Sequence, residues 1–176
     1  MKAKQVWGLP TNLKVKLEIN QDNIVVGTNQ SLLVTRFLGL VARRKEYCPI
    51  DVEEWSQMPL SIKDNLWALI KEKFSFNYDA GEYWALKILG KSWKRWKYDL
   101  RTKYLVSKKL KKELLENTPP EVDDVQWSKF IDHYQSDRMK ETSEKNTVKR
   151  KKLQINHTGG TKSNQRRAYE MVCSNL

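Results

Sequence analysis

The chain has very few of the side chains that metal sites and most catalytic centres rely on. Histidine occurs twice, at His133 and His157, and cysteine twice, at Cys48 and Cys173, with no Cys-x-x-Cys pair. Structural zinc takes four Cys or His ligands at short spacings, so this set excludes a zinc-built domain. Two thiols so far apart point to a reducing compartment, with Cys48 buried and Cys173 an incidental tail thiol. No apolar run approaches the ~18 residues needed to cross a bilayer. The basic start MKAKQVWGLPTN lacks the apolar stretch of a secretory signal, so the chain reads as intracellular. Internal repeats, long low-complexity tracts and the RNP and KH signatures of RNA binders are missing too. The segment HTGGTKS (157–163) is rich in Gly, Ser and Thr but lacks the G-x-x-x-x-G-K-[ST] spacing of a phosphate loop. It reads as a loop with, at most, weak anion binding.

Acidic residues are also in deficit. Against 21 Asp+Glu stand 33 Lys+Arg, a net charge of +12. Such an excess points to a polyanionic partner, nucleic acid or an anionic membrane surface; the alternative is a soluble protein that is merely basic. With 39% hydrophobic and 31% charged residues, 176 residues suffice for one packed domain, but part of the length is expected to be solvated. Charge falls in blocks. Residues 1–45 carry 8 basic and 2 acidic side chains, 46–79 carry 3 and 7, and 80–112 carry 11 and 2. Residues 113–136 then carry 1 and 6, and 137–176 carry 10 and 4. Basic surfaces separated by acidic elements follow from that pattern.

Hydropathy patterning predicts a mainly α chain. Leu13, Val15, Leu17 and Ile19 alternate with polar neighbours, as a half-buried strand requires. Turn residues 20–23 and Ile24-Val25-Val26 then complete a short hairpin. Thr28 or Asn29 is placed to cap a helix to about Lys45, with Leu33, Phe37, Leu40 and Val41 on one face. Pro49 ends it, and Asp51 caps a short helical turn whose Trp55 points inward. Ser61, with Asp64 three positions on, resembles a capping box for a helix whose stripe is Ile62, Leu66, Leu69, Ile70 and Phe74. A helix over 80–106 follows, then a link, then a helix with Trp127, Phe130, Ile131 and Tyr134 at i, i+3, i+4, i+7. Beyond Asp137 the apolar period fades into either a solvated helix or disorder. The expected organisation is a flexible basic leader at 1–12, a helical core at 13–136 and a basic polar tail at 137–176.

The informative segment is WALKILGKSWKRWKYDLRTKYL (84–105). Leu86, Leu89, Trp93, Trp96 and Leu100 recur at steps of 3 and 4, while Lys87, Lys91, Lys94 and Arg101 fall on a different stripe. One face can anchor in a core while the other lies along phosphates, in keeping with a helix that fits the major groove. Arg95 and Arg101 are better base readers than the lysines, because guanidinium binds guanine bidentately. The competing reading is a solvated basic face on a structural helix. The tryptophans at helical positions, Trp93 and Trp96 above all, are expected in the core rather than as stacking platforms. A Trp in each of several helices resembles the small bundles of Myb-like and trihelix modules. The cluster Lys149, Arg150, Lys151 and Lys152 is of the nuclear-import type. Catalysis finds little support: His133 reads as a surface residue, and a two-metal nuclease would need carboxylates on a buried parallel sheet, which this pattern does not offer.

Taken in order, these landmarks resemble a known family. GLPTNLKVKLEIN, the Gly27-to-Gly39 helix, YCPIDVEEWSQMP, LWALIKEKF, LGKSWKRWKYDLRTKYL, VQWSKFIDHYQSD and SEKNTVKRKKLQINHTGGTKS together resemble the plant transposase family Ptta/En/Spm, over roughly Val6 to Glu170. The resemblance implies a domain from CACTA-type plant elements, distinct from the catalytic DDE domain, with DNA binding or transposition support as its role. Family members commonly continue past HTGGTKS, and Asn164 stands where an aromatic is expected, so a truncated copy is one expectation. The resulting expectation is a nuclear, non-catalytic module without cofactor that contacts duplex DNA. Lys87, Lys91, Lys94, Arg95, Arg101 and Lys149–Lys152 are its contact residues. A protein–protein interaction module is the alternative.

Overall fold

A computed structural model of the chain describes residues 2–19, 25–26, 28–76, 81–105, 110–152 and 171. The architecture is mainly helical with one small sheet. Helices α1 (Ala3–Val6), α2 (Thr28–Val41), α3 (Leu60–Lys73), α4 (Gly81–Tyr104), α5 (Lys111–Leu115), α6 (Asp124–Gln135) and α7 (Asp137–Lys151) are joined by strands β1 (Val15–Ile19), β2 (Val25–Val26) and β3 (Phe74–Phe76). Residues through Gln135 form one compact unit and Ser136–Leu176 a second.

Strands β1 and β2 form the expected antiparallel hairpin, Glu18 opposite Val26 and Ile19 opposite Val25. Leu13 lies before the strand and is 54% exposed, so the alternating pattern starts two residues later than expected. The expectation of no parallel strand is corrected: β3 pairs with β1 in parallel, Val15 opposite Phe74 and Leu17 opposite Phe76. Phe74 therefore belongs to a strand rather than to the stripe of α3. Its partner lies 59 residues upstream, beyond the reach of any local periodicity.

Residues 2–12, expected as a flexible leader, are corrected in the same way. Val6 is fully buried, and the Trp7 ring lies 5.0 Å from Phe37 and 5.8 Å from Tyr47. Two large apolar side chains within α1 and its C-cap outweigh the basic composition around them. Helix α2 buries Val34, Phe37, Leu38 and Val41 at helical spacing, leaving Leu33 and Leu40 half-buried at its edge. It ends at Val41, short of Lys45, and begins at Thr28, so neither Thr28 nor Asn29 stands outside it as a cap. Helix α3 starts at Leu60 with Pro59 as N-cap; Ser61 is an exposed residue inside it, not its cap. The short turn after Pro49 begins at Trp55, with Glu54 rather than Asp51 preceding it.

Two clusters of buried side chains make up the first unit. One gathers Leu17, Phe37, Leu66, Ile70, Phe74, Leu89 and Trp93 between the sheet and α1–α4. The other gathers Ile50, Leu100, Leu114, Trp127, Phe130 and Ile131 around α5 and α6. Segment 110–116, expected as a plain link, thus holds a short helix because Leu114 plugs the second cluster and accepts the Trp127 indole N–H at 2.9 Å. Trp93 likewise donates to the Pro49 carbonyl at 3.1 Å, and buried indoles find partners of this kind as a rule. Trp93 is buried as expected; Trp96 is only half-buried, with the Arg43 guanidinium 5.2 Å above its ring.

In the second unit, α7 is a solvated helix. The Ser136 hydroxyl caps it by accepting the Met139 N–H at 3.4 Å, and none of its residues is buried. The HTGGTKS segment and Cys173 lie outside the described residues.

Two helical glycines predict opposite outcomes. A Cβ at Gly90 would lie 2.8 Å from the Trp55 indole, which itself packs near Trp93, whereas a Cβ at Gly39 meets nothing within 4 Å. Gly39→Ala should gain about 0.5–1 kcal/mol from helix propensity. Gly90→Ala should lose about 1 kcal/mol, since overpacking of about 1–3 kcal/mol outweighs the same gain. Urea unfolding of both variants measures the difference.

Cys48 is buried, and burial pushes its thiol up to about 12. Because only the thiolate is nucleophilic, Cys48 should resist iodoacetamide at pH 8 in the native state and react on addition of denaturant, read by mass spectrometry of the Cys48 peptide.

Candidate nucleic-acid interface

Helix α4 is 24 residues long, about 36 Å at 1.5 Å per residue. Its buried line runs Gly81, Ala85, Leu89, Trp93, Lys97 in steps of four, then Leu100. Each step of four turns the line by about 40°, so the buried face winds around the helix. A fixed stripe through Leu86 and Trp96 therefore overestimates their burial and misses Lys97.

The opposite face carries the expected cations. Lys87, Lys91, Lys94 and Arg95 are exposed. Lys87, Lys91 and Lys94 have no carboxylate partner among the described residues, while Arg95 Nε lies 2.9 Å from the Asp99 carboxylate. Two exposed tyrosines stand among them: the Lys87 ammonium is 5.5 Å from the Tyr83 ring, and Arg95 and Arg101 lie 5.2 and 5.5 Å from Tyr98. Such contacts hold long side chains extended over the helix surface. Arg101 differs from the lysines. It is half-buried, 5.4 Å over the Tyr134 ring, at the edge of the second cluster. Burial pushes the Tyr134 phenol up, and the Arg101 charge partly offsets that.

Lys149, Arg150 and Lys151 form the last turn of α7 and Lys152 follows as its C-cap, all exposed. Cations there complement the helix dipole. They belong to the second unit, whereas the α4 cations belong to the first.

Four further cations escaped the pattern. Lys2, Lys4, Arg36 and Arg43 join Lys91 and Arg95 around a groove of about 1150 Å³ between α1, α2 and α4, floored by Gly39, Leu40 and Ile88. No acidic residue among the described residues lines it. Arg36 lies in α2 and Arg43 two residues past its end, but the sequence does not reveal that α4 lies beside them.

Lys97 is the other residue that periodicity missed. Its ammonium donates to the Val52 and Glu53 carbonyls, lies 4.3 Å from the Trp93 ring and faces Phe130 and Tyr134 from the far side. Burial pushes it down to about 8, against the opposing pull of Asp51 and Glu53. His133, expected at the surface, is half-buried, with Nδ1 3.4 Å from the Glu53 carboxylate and its ring against Tyr134. Among the described residues no group of three or more His, Cys, Asp or Glu is placed to hold a metal ion.

No protein-family model matches the chain, and no curated protein or solved structure matches it significantly.

Below pH 8 the folded and unfolded states both carry the Lys97 charge, and the native state bears its burial cost. Above about 10.5 neither carries it. Between these limits folding releases a proton, so the Lys97 contribution to stability rises with pH. Relative to Lys97→Met, which does not titrate, the parent should gain about 1–2 kcal/mol between pH 7.5 and 9.5, measured by urea unfolding at both values.

Proposed function

We propose that the chain is a transposon-derived, non-catalytic DNA-binding or transposition-accessory module that acts in the nucleus and grips duplex phosphates through α4. The observation that carries this reading is the division of α4: Leu89, Trp93 and Leu100 are buried, while Lys87, Lys91 and Lys94 stand exposed without carboxylate partners among the described residues. Unpaired cations meet phosphate oxygens without first breaking an ion pair, and the release of condensed counterions drives the association. Arg95, already held by Asp99, and Arg101, held over Tyr134, serve as secondary contacts. The Lys149–Lys152 cluster supplies the import signal and a further basic contact. Plant origin and the link to transposition rest on the ordered resemblance to the Ptta/En/Spm family.

A protein–protein interaction module is the second reading. On its side stand Leu60 and Leu110, 75% and 72% exposed, at the starts of α3 and α5. A concentration-dependent mass without DNA would favour it.

The test replaces Lys87, Lys91 and Lys94 together by Ala. The fold should persist, because none of the three is packed and Ala favours helix. Duplex affinity should fall, and the log–log salt slope should shrink by about 0.9 for each phosphate no longer neutralised. Unrelated duplex sequences should be affected alike, because phosphate contacts carry no base information. Unchanged affinity and slope by fluorescence anisotropy would remove α4 from the interface and bring the interaction-module reading forward.

A further inference from the structure

Resting on the DNA-binding reading, we infer that the groove between α1, α2 and α4 is a second phosphate-binding surface, seating one sugar–phosphate strand of the duplex over Gly39. Four features of the groove support this. First, its charge is of one sign: Lys2, Lys4, Arg36, Arg43, Lys91 and Arg95 border it, and no carboxylate among the described residues does. Second, five of the six cations have no carboxylate partner among the described residues; only Arg95 is paired, to Asp99. A cluster of like charges raises the energy of the free protein, so packing alone does not account for it, and a polyanion would relieve it.

Third, Gly39 has no packing reason to be glycine. It sits inside α2, where glycine costs about 1 kcal/mol against alanine, and a Cβ would meet only open space. At Gly90 the same absence of a side chain is required by Trp55. What the bare backbone at position 39 provides is depth: any side chain there would project into the groove between the two helices. Fourth, the groove sets apolar surface between cations, as a sugar–phosphate strand requires. Arg36 lies in α2 and Arg43 two residues past its end, both on the rim. Leu33, Leu40 and Ile88 offer apolar floor for the sugars between them. Lys91 and Arg95 border both the groove and the outer face of α4, so the two surfaces are continuous there.

The experiment measures the affinity of a 20-base-pair fluorescent duplex, at about 100 mM salt, for the full chain and four variants. Gly39→Glu places a carboxylate on the groove floor, and Gly39→Gln places the same bulk without charge. Ala68→Glu, exposed on α3 outside the groove lining, carries the same charge change elsewhere. Arg36→Ala/Arg43→Ala removes two rim cations without adding bulk. Thermal melts should show Gly39→Glu at least as stable as the parent, since Glu is the better helix former. Relative to Ala68→Glu, Gly39→Glu should bind about tenfold or more weakly, because a like charge set against phosphate is strongly repelled. Gly39→Gln should fall between them. The double arginine variant should reduce the salt slope by up to about 1.8, two phosphates at about 0.9 each. Equal affinity of Gly39→Glu and Ala68→Glu, with an unchanged slope for the arginine variant, overturns the groove while the α4 face stands. A parent that binds no duplex even at about 50 mM salt, where phosphate contacts are strong, overturns both.

Discussion

One helix has to serve two cores. The N-terminal half of α4 delivers Ala85, Leu89 and Trp93 to the cluster around the sheet, and its C-terminal half delivers Leu100 to the cluster around Trp127. A straight helix meets partners on two sides only if its buried face winds, and steps of four residues do that. At the junction neither core can close over the other, and there the chain places Lys97. Its aliphatic stem fills the gap, and its ammonium exchanges water for the Val52 and Glu53 carbonyls and the face of Trp93. The segment from Pro49 to Gln57 is tied to α4 from this point: Trp93 holds Pro49, Lys97 holds Val52 and Glu53, and Trp55 lies over Gly90.

The charge blocks make sense within this arrangement. Three carboxylates of the acidic segments meet basic side chains around the second core. Asp51 meets Lys129 at 3.1 Å, Glu53 meets His133, and Asp132 meets Lys111 at 2.6 Å. Exposed pairs of this type are worth little to stability. Their effect is on the field instead: these pairs lower the local charge around α6, while Lys87, Lys91 and Lys94 of α4 have no carboxylate partner among the described residues.

Elements with a strong local period were legible in the sequence, and those defined by distant partners were not. Trp127, Phe130 and Ile131 mark α6 because a single face meets a single core. The β1–β2 hairpin is signalled by alternation and a turn. In contrast, β3 is three residues that continue the period of α3, and only the distant Val15–Leu17 edge makes them a strand. Val6 and Trp7 were hidden in a basic leader. For the candidate site, exposure of Lys87, Lys91 and Lys94 could be read from spacing on one helix. The groove could not, because it depends on which helices are neighbours. Lys97 illustrates a further limit, since residue type argues against burial and only the surrounding carbonyls reverse that argument.

The parallel pairing of β1 with β3 also bears on the order of assembly. Closing a loop of nearly sixty residues costs chain entropy before any ladder bond repays it, and parallel pairing has no tight turn to guide it. Helices α2 and α3 lie inside that loop, and their formation would shorten the distance the two strands must search. During synthesis, β1 emerges first and waits, with one edge open, until Phe74–Phe76 has left the ribosome. An unpaired edge is a template for another chain. The brevity of the waiting strand, five residues with charged Lys16 and Glu18 among them, limits that hazard until its own partner arrives.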